Sequence, residues 1–137
     1  MGDPATPLVI VDAANVVGSV PDGWWRDRLG ATTRLRDRIA GLADYGLPDP
    51  SVPEWAAHGP VEVVMVVEGK ARGVEPSDTV GVVSADGSGD DAIVALVAEA
   101  APRHTLVVTA DRALRDRVTA LGAAITGPRS ISRIGNN

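Results

Sequence analysis

Leu8-Val9-Ile10-Val11-Asp12-Ala13-Ala14-Asn15 decides the reading of this chain. Four apolar residues run without a break and stop at a carboxylate. An unbroken run of this kind reads as a strand buried on both faces, as in a parallel sheet. It puts Asp12 at the carboxyl end of the strand, with Asn15 three residues further on. In open α/β sheets the ligand crevice lies outside that end of the strands. A carboxylate backed by an amide is well placed there to hold a metal ion.

The same arrangement recurs along the chain. Val63-Val64-Met65-Val66-Val67 runs into Glu68. Val80 to Val83 runs into Ser84-Ala85-Asp86, after which Gly87-Ser88-Gly89-Asp90-Asp91 opens a helical pattern. Leu106-Val107-Val108 runs into Thr109-Ala110-Asp111. Four apolar runs each deliver an acid near their carboxyl end, which points to one acidic pocket. Hard divalent cations prefer such oxygen donors, and Mg²⁺ is usually held by one or two carboxylates plus water and phosphate oxygens. Carboxylates gathered at one edge repel one another, and a cation relieves that cost. Each acid also has a plainer use. Asp12 can cap a turn, Asp111 can be the N-cap of its helix, and Asp90 and Asp91 suit a helix N-terminus. Asp86-Gly87 is an ordinary turn signal.

These motifs resemble those of the PIN-like nucleases. Asp12-Ala13-Ala14-Asn15 follows the first strand, Gly89-Asp90-Asp91-Ala92-Ile93 opens a helix, and Val108-Thr109-Ala110-Asp111-Arg112 closes a later strand. The D-x-x-N spacing is most similar to the NYN branch, which includes bacterial proteins thought to act on RNA. The resemblance spans about residues 8 to 128. It implies a metal-dependent ribonuclease using Mg²⁺ or Mn²⁺, with RNA as partner. Carried over residue by residue, it implies that Asp12, Asp90 and Asp111 are catalytic metal ligands. Asp91 competes with Asp90, since the spacing fits either, and Glu68 is a further metal candidate at a position often held by Asp in that branch. Asn15 orients Asp12 or touches substrate. Thr109 supports the site and belongs with the residues assigned to the substrate side. Two other functions fit the same scaffold: a catalytically silent RNA- or protein-binding module, and a small-nucleotide phosphohydrolase.

An acidic nucleic-acid binder needs a local basic rim. The chain carries a formal net charge of −5, so it is no general polyanion binder. Lys70, Arg72, Arg112 and Arg115 are the candidates for that rim. Trp24 and Trp25 stand in a row beside Arg26 in a chain with no Phe and one Tyr. One is expected to pack on the sheet edge and the other is available to stack on a base.

The remaining sequence gives an α/β domain: a three-layer α/β/α arrangement around a mostly parallel sheet of about five strands. At 137 residues a single domain is expected, with residues 1–7 a loose lead-in and 129–137 a polar tail. Strands are expected at about 8–12, 61–67, 80–83, 104–109 and 123–126. The direction of the third is open, because residues 68–79 are close to the minimum for a parallel crossover. Residues 16–23 read as a loop. A helical stretch follows to about Ala43, with Leu35, Ile39 and Leu42 as its inward stripe, and Gly46 ends it. Residues 46–60, with prolines at 48, 50, 53 and 60, read as a connection with one turn near Glu54-Trp55-Ala56-Ala57. Further helices are expected over Asp90–Ala101, with Ile93, Leu96, Val97 and Ala100 on one face, and over Asp111–Leu121, with Leu114, Val118 and Leu121 facing inward. Gly122 is a natural stop.

No Gly-x-Gly-x-x-Gly follows the first strand and no P-loop sequence occurs, so dinucleotide and P-loop readings lose their main support. With no cysteine, disulfide frameworks and thiol catalysis are excluded. His58 and His104 are too isolated for a zinc or catalytic case. No apolar stretch approaches the roughly 18 residues of a membrane span, and residues 2–7 lack the basic and apolar regions of a signal peptide. A cytoplasmic protein without a membrane partner is the expectation.

Overall fold

In the computed structural model, which describes residues 5–132 and 134, the chain forms one five-stranded sheet in which every pairing is parallel. The strands are β1 (Leu8–Asp12), β2 (Glu62–Val67), β3 (Val80–Ser84), β4 (Thr105–Val108) and β5 (Ala124–Thr126). Their spatial order is β3-β2-β1-β4-β5. β1 is therefore central, and all five of its residues are buried. Its side chains alternate between two cores. Val9 and Val11 join Val63, Met65, Val67, Leu106 and Val108 on one face. Leu8 and Ile10 join Val66, Val107, Ile93 and Leu114 on the other. The period of two along a strand thus builds the three layers.

Helices α1 (Ala13–Gly18), α2 (Arg28–Arg38), α3 (Leu42–Tyr45) and α4 (Glu54–Ala57) lie in the connection from β1 to β2. They bury Val16, Leu35, Leu42 and Ala56 on the first face. Helices α5 (Gly89–Ala100) and α6 (Arg112–Thr119) precede and follow β4. They bury Ile93, Val97, Leu114 and Val118 on the second. From β1 the chain steps outward to β2 and β3, then returns across the sheet to β4 on the far side of β1. The strand order reverses between β1 and β4, which is where open parallel sheets bind ligands. The third strand is parallel, so residues 68–79 do make a crossover. They manage it without an α-helix, through a 3₁₀ turn at Gly69–Ala71, with Ala71 and Val74 buried against the sheet.

Several local expectations are corrected. Residues 16–18 are not loop: α1 starts immediately after Asp12, because the Asp12 carboxylate accepts from the Asn15 backbone N–H and opens the helix. The helical stretch toward Ala43 is broken, with a 3₁₀ turn at Trp24–Arg26, then α2, then α3 after a break at residues 39–41. Leu35, Ile39 and Leu42 remain buried across that break. Gly46 closes α3 in the left-handed region at φ 75°, and a Cβ there would lie 2.6 Å from the His58 backbone, so only glycine fits. Leu121 is 43% exposed, because α6 ends at Thr119 and Leu121 lies past its C-cap, in the turn that Gly122 completes. Within the expected polar tail, Arg129–Ser132 forms a short helix, α7, and Ile131 is fully buried in the first core. Residues 133 and 135–137 of that tail, and residues 1–4, lie outside the described residues. Among the described residues no helix is long and apolar enough to cross a membrane.

Candidate active site at the carboxyl edge of the sheet

Asp12 ends β1 only 6% exposed. Its Oδ2 accepts from the Thr109 hydroxyl at 2.8 Å and its Oδ1 from the Asn15 backbone N–H at 3.4 Å. Thr109 is fully buried. Having given its hydroxyl proton to Asp12, it accepts from the Asp111 backbone N–H at 3.1 Å on the same oxygen. Its own N–H donates to the Thr126 carbonyl, and its carbonyl accepts from Arg115 Nε at 2.8 Å. The Asn15 side-chain carbonyl accepts from the Ala110 N–H at 2.8 Å. Two strand ends far apart in sequence are thus tied by their own polar groups. Thr109 has no exposed surface and meets the site through its bond to Asp12.

Asp111 caps α6: its Oδ1 accepts from the Leu114 N–H at 3.1 Å. Asp90 and Asp91 both lie in the first turn of α5, whose N-cap is Ser88. Their surroundings differ. Asp91 pairs with Arg117 of α6 at 3.0 Å, with its side chain 73% exposed. Asp90 instead faces Asp111, Glu68 and Asp12, whose charges all act on it or feel it. Glu68 reaches the same place from the end of β2, and its Oε2 accepts from the Gly89 N–H at 2.9 Å. A Cβ on Gly89 would lie 3.1 Å from the Glu68 carboxyl carbon, so a glycine at the start of α5 lets that carboxylate close in.

The electrostatics follow from this crowding. The Asp12 carboxyl is raised above its ordinary value of 3.8, first by burial and then by the charges of Asp90 and Glu68, against the lowering effect of the Thr109 and Asn15 hydrogen bonds. Asp90 is also raised from 3.8, by burial and then by Asp111 and Glu68, while Arg117 pulls it down. Shifts of this origin cluster at functional sites.

Four carboxylates from four connections, Asp12, Glu68, Asp90 and Asp111, therefore share one edge. Their all-oxygen donor set suits a hard divalent cation. Among the described residues no three of them close into a ready-made ligand group.

The basic and aromatic candidates are distributed unevenly. Lys70 and Arg72 are exposed just after Glu68, and Arg112 is exposed beside Asp111. Arg115 is committed to the Thr109 carbonyl. Trp24 is half-buried and packs beside Gly18 at the end of α1, not on the sheet edge. Trp25 is 54% exposed, meets Trp24 edge-on with ring centres 6.2 Å apart, and carries Arg26 at 5.7 Å from its ring. His104 stacks on Trp55 at 4.6 Å and His58 meets Glu54 at 3.2 Å, both away from the acids.

No family model matches this sequence, and no curated protein matches it. Its fold does match solved structures. A crystal structure of a mutant of Rae1 (YacP) from Bacillus subtilis superposes with a TM-score of 0.71 over 93% of this chain and 74% of that one, at 17% identity. A second crystal structure of Rae1 (YacP) from the same organism gives a TM-score of 0.68, covering 92% of this chain and 71% of that one, at 19% identity. At such identities the likeness concerns the fold.

Proposed function

We propose that this fold carries a metal-dependent ribonuclease that hydrolyses RNA phosphodiester bonds at the Asp12 edge. The observation that supports it most is the convergence of Asp12, Glu68, Asp90 and Asp111 on the crevice where the strand order reverses, with the Asp12 and Asp90 carboxyls raised by their neighbours. A fold shared with Rae1 (YacP) and motifs resembling the NYN branch agree with it. Asp12, Asp90 and Asp111, with Glu68 beside them, are the side chains to hold Mg²⁺ or Mn²⁺. A divalent ion so held lowers the pKa of bound water and offsets charge on the phosphoryl oxygens.

The chain's own groups have distinct parts. Thr109 fixes the rotamer of Asp12 through one oxygen, so the second faces the crevice edge with only a long bond from Asn15. Glu68 pins the first residue of α5 and so sets where Asp90 stands. Asp111 is held at both ends, by Thr109 at its N–H and by Leu114 at its carboxylate. Preorganisation of this kind is how a site keeps charged groups in place before substrate arrives.

The test is cleavage of labelled single-stranded and structured RNA with Mg²⁺, Mn²⁺ or EDTA. Metal-dependent cleavage that Asp12→Asn abolishes is the expected result; its absence in the wild type removes the proposal. One observation favours a second reading, a silent RNA-binding module: the acids do not close on one point. In that case Asp12→Asn binds RNA as well as the wild type or better, and calorimetry detects no metal site.

A further inference from the structure

The function proposed for the Asp12 edge leaves two adjacent indoles without a part. Trp24 and Trp25 open the 3₁₀ turn Trp24–Arg26, between α1 and α2. The backbone there is held. Gly23 turns into it at φ 83°, the Arg26 N–H donates to the Gly23 carbonyl at 3.0 Å, and the Asp27 N–H donates to the Trp24 carbonyl at 3.2 Å. Trp24 is half-buried and Trp25 is exposed. Their rings stand at 89° to one another, so the inner ring braces the outer one. A guanidinium lies against each, Arg26 on Trp25 and Arg28 on Trp24, the second at 5.2 Å. Neither pairs with an acid among the described residues. Asp27, between them in sequence, is turned onto the start of α2, where its carboxylate accepts from the Gly30 N–H at 2.9 Å.

The pair stands within reach of the carboxylates. Trp24 Cζ2 lies 3.6 Å from where a Cβ would sit on Gly18. Gly18 is the last residue of α1, and Asp12 is the N-cap of that helix. Such a helix rises about 9 Å, which puts the Trp24 ring within roughly 15 Å of Asp12. The side of the sheet is fixed as well. α2 lies against the Gly69–Ala71 turn, which follows Glu68 at the carboxyl end of β2. After α2 comes α3, whose Ala43 carbonyl accepts from the Val61 N–H at the amino end of β2. α2 therefore runs from the carboxyl side of the sheet to the amino side, with the indoles at its carboxyl-side end. Lys70, in the neighbouring turn, is exposed there too.

An indole face stacks on any base, and an unpaired guanidinium suits a phosphate. The bases of a duplex are already stacked on one another, so only an unpaired base can use the ring. We propose that Trp25 is a stacking platform for an unpaired base of single-stranded RNA, with Arg26 and Arg28 on the flanking phosphates and Trp24 holding the ring in place. The inference rests on the reading of the Asp12 edge as an RNA-cleaving site, and it makes that site selective for unpaired strand.

The experiment titrates a short single-stranded RNA and a duplex of the same length, in Mg²⁺, against the Asp12→Asn protein, with and without Trp25→Ala, Trp25→Phe, Arg26→Ala and Arg28→Ala. Trp25→Ala is expected to weaken single-strand binding about tenfold, the scale of one lost base stack, and to change duplex binding less than about twofold. Trp25→Phe keeps an aromatic face and is expected to recover most of the loss. Each arginine variant is expected to lower the single-strand salt slope by about 0.7. Trp25 is exposed and supports no core, so its variants report on the surface and not on folding. Unchanged single-strand binding in Trp25→Ala, an equal loss on strand and duplex, or no RNA binding by the parent protein overturns the platform. So does a dimer in sedimentation that Trp25→Ala dissolves while RNA affinity stays, since the ring then covers a second copy of the chain. Cleavage by the wild type is measured separately. Its absence beside Trp25-dependent binding removes the nuclease reading alone, and cleavage beside Trp25-independent binding removes the platform alone.

Discussion

The two ends of the same sheet treat charge in opposite ways. At the amino end of β2 and β4, Arg103 pairs with Glu62 at 2.6 Å, its side chain only 8% exposed, and also donates to the Thr6 carbonyl. Here one buried cation meets one acid and is satisfied. At the carboxyl end, Asp12, Glu68, Asp90 and Asp111 crowd together, and each raised carboxyl marks an unfavourable placement. A fold selected for stability alone would treat both ends like the first. At the carboxyl end the crowded acids cost the fold stability, and the function proposed for this edge would give that cost a use, as at functional sites generally.

The sharpest way to break this contrast is at Asp12. Asp12→Asn keeps the shape of the side chain and removes its charge. It is expected to lower metal-dependent RNA cleavage by about a thousandfold, near 4 kcal/mol of transition-state stabilisation, in a single-turnover assay. Residual cleavage within a few-fold of wild type would place the chemistry elsewhere.

Next in size is the response to metal. Mn²⁺ that binds only the folded protein should stabilise it by about 2.7 kcal/mol at a hundredfold excess over Kd, seen as a higher melting temperature than in EDTA. The amino end should not share in this. Arg103→Ala leaves Glu62 without its partner and the Thr6 carbonyl without its donor, and is expected to cost about 2 kcal/mol equally in EDTA and in Mn²⁺. Chemical denaturation under both conditions checks it, and a cost that depends on metal would join the two ends that the comparison separates.

Acidity gives a smaller and more particular effect. Between 3.8 and their raised values, Asp12 and Asp90 hold protons in the folded state that the unfolded chain has released. Unfolding then sheds protons, so the stability these groups contribute is present at low pH and is lost as pH rises through the folded values. The neutral Asn of Asp12→Asn escapes that loss. In EDTA, its melting temperature should therefore gain on the wild type as pH rises from about 4, then level off. A constant gap across that range would show that Asp12 is not strained.

The smallest change is expected at Asp111→Asn. Asn caps a helix as well as Asp does, so the bond to Leu114 can persist while repulsion of Asp90 is relieved and some attraction to the helix dipole is lost. Without metal the variant should melt higher, by a few tenths to about 1 kcal/mol, the scale of charge effects at a helix terminus, and it should gain less from Mn²⁺. Melting lower in EDTA with a normal Mn²⁺ response would leave Asp111 as a cap alone.

Much of the carboxyl end was legible in sequence because each acid sits at the end of an apolar run, a local pattern. The parallel sheet followed from the same runs. What escaped depends on distance or on phase. Residues 16–18 looked like loop because Gly18, Pro21 and Gly23 punctuate the segment, yet Asp12 caps it and Val16 packs into the core. The different surroundings of Asp90 and Asp91 could not be read before Ser88 was fixed as the N-cap, since one residue turns a helix by about 100°. Leu121 keeps the helical period of Leu114 and Val118, but the helix has already ended at Thr119. Ile131 is an apolar residue in a polar tail, with no period to reveal it. The Ser51 and Thr126 hydroxyls meet at 2.6 Å across 75 positions, and no local signal could have brought them together.

The bond between Asp12 and Thr109 spans 97 positions, and that separation has a consequence in time. A ribosome delivers β1 well before β4, at about 5–20 residues per second, and contacts so distant form only after a large loop has closed. The emerging chain thus has Asp12 long before it has the group that orients it. Any activity housed at this edge can begin only after Thr109 has been made, and a product stopping before Thr109 carries the first half of the site with nothing to complete it.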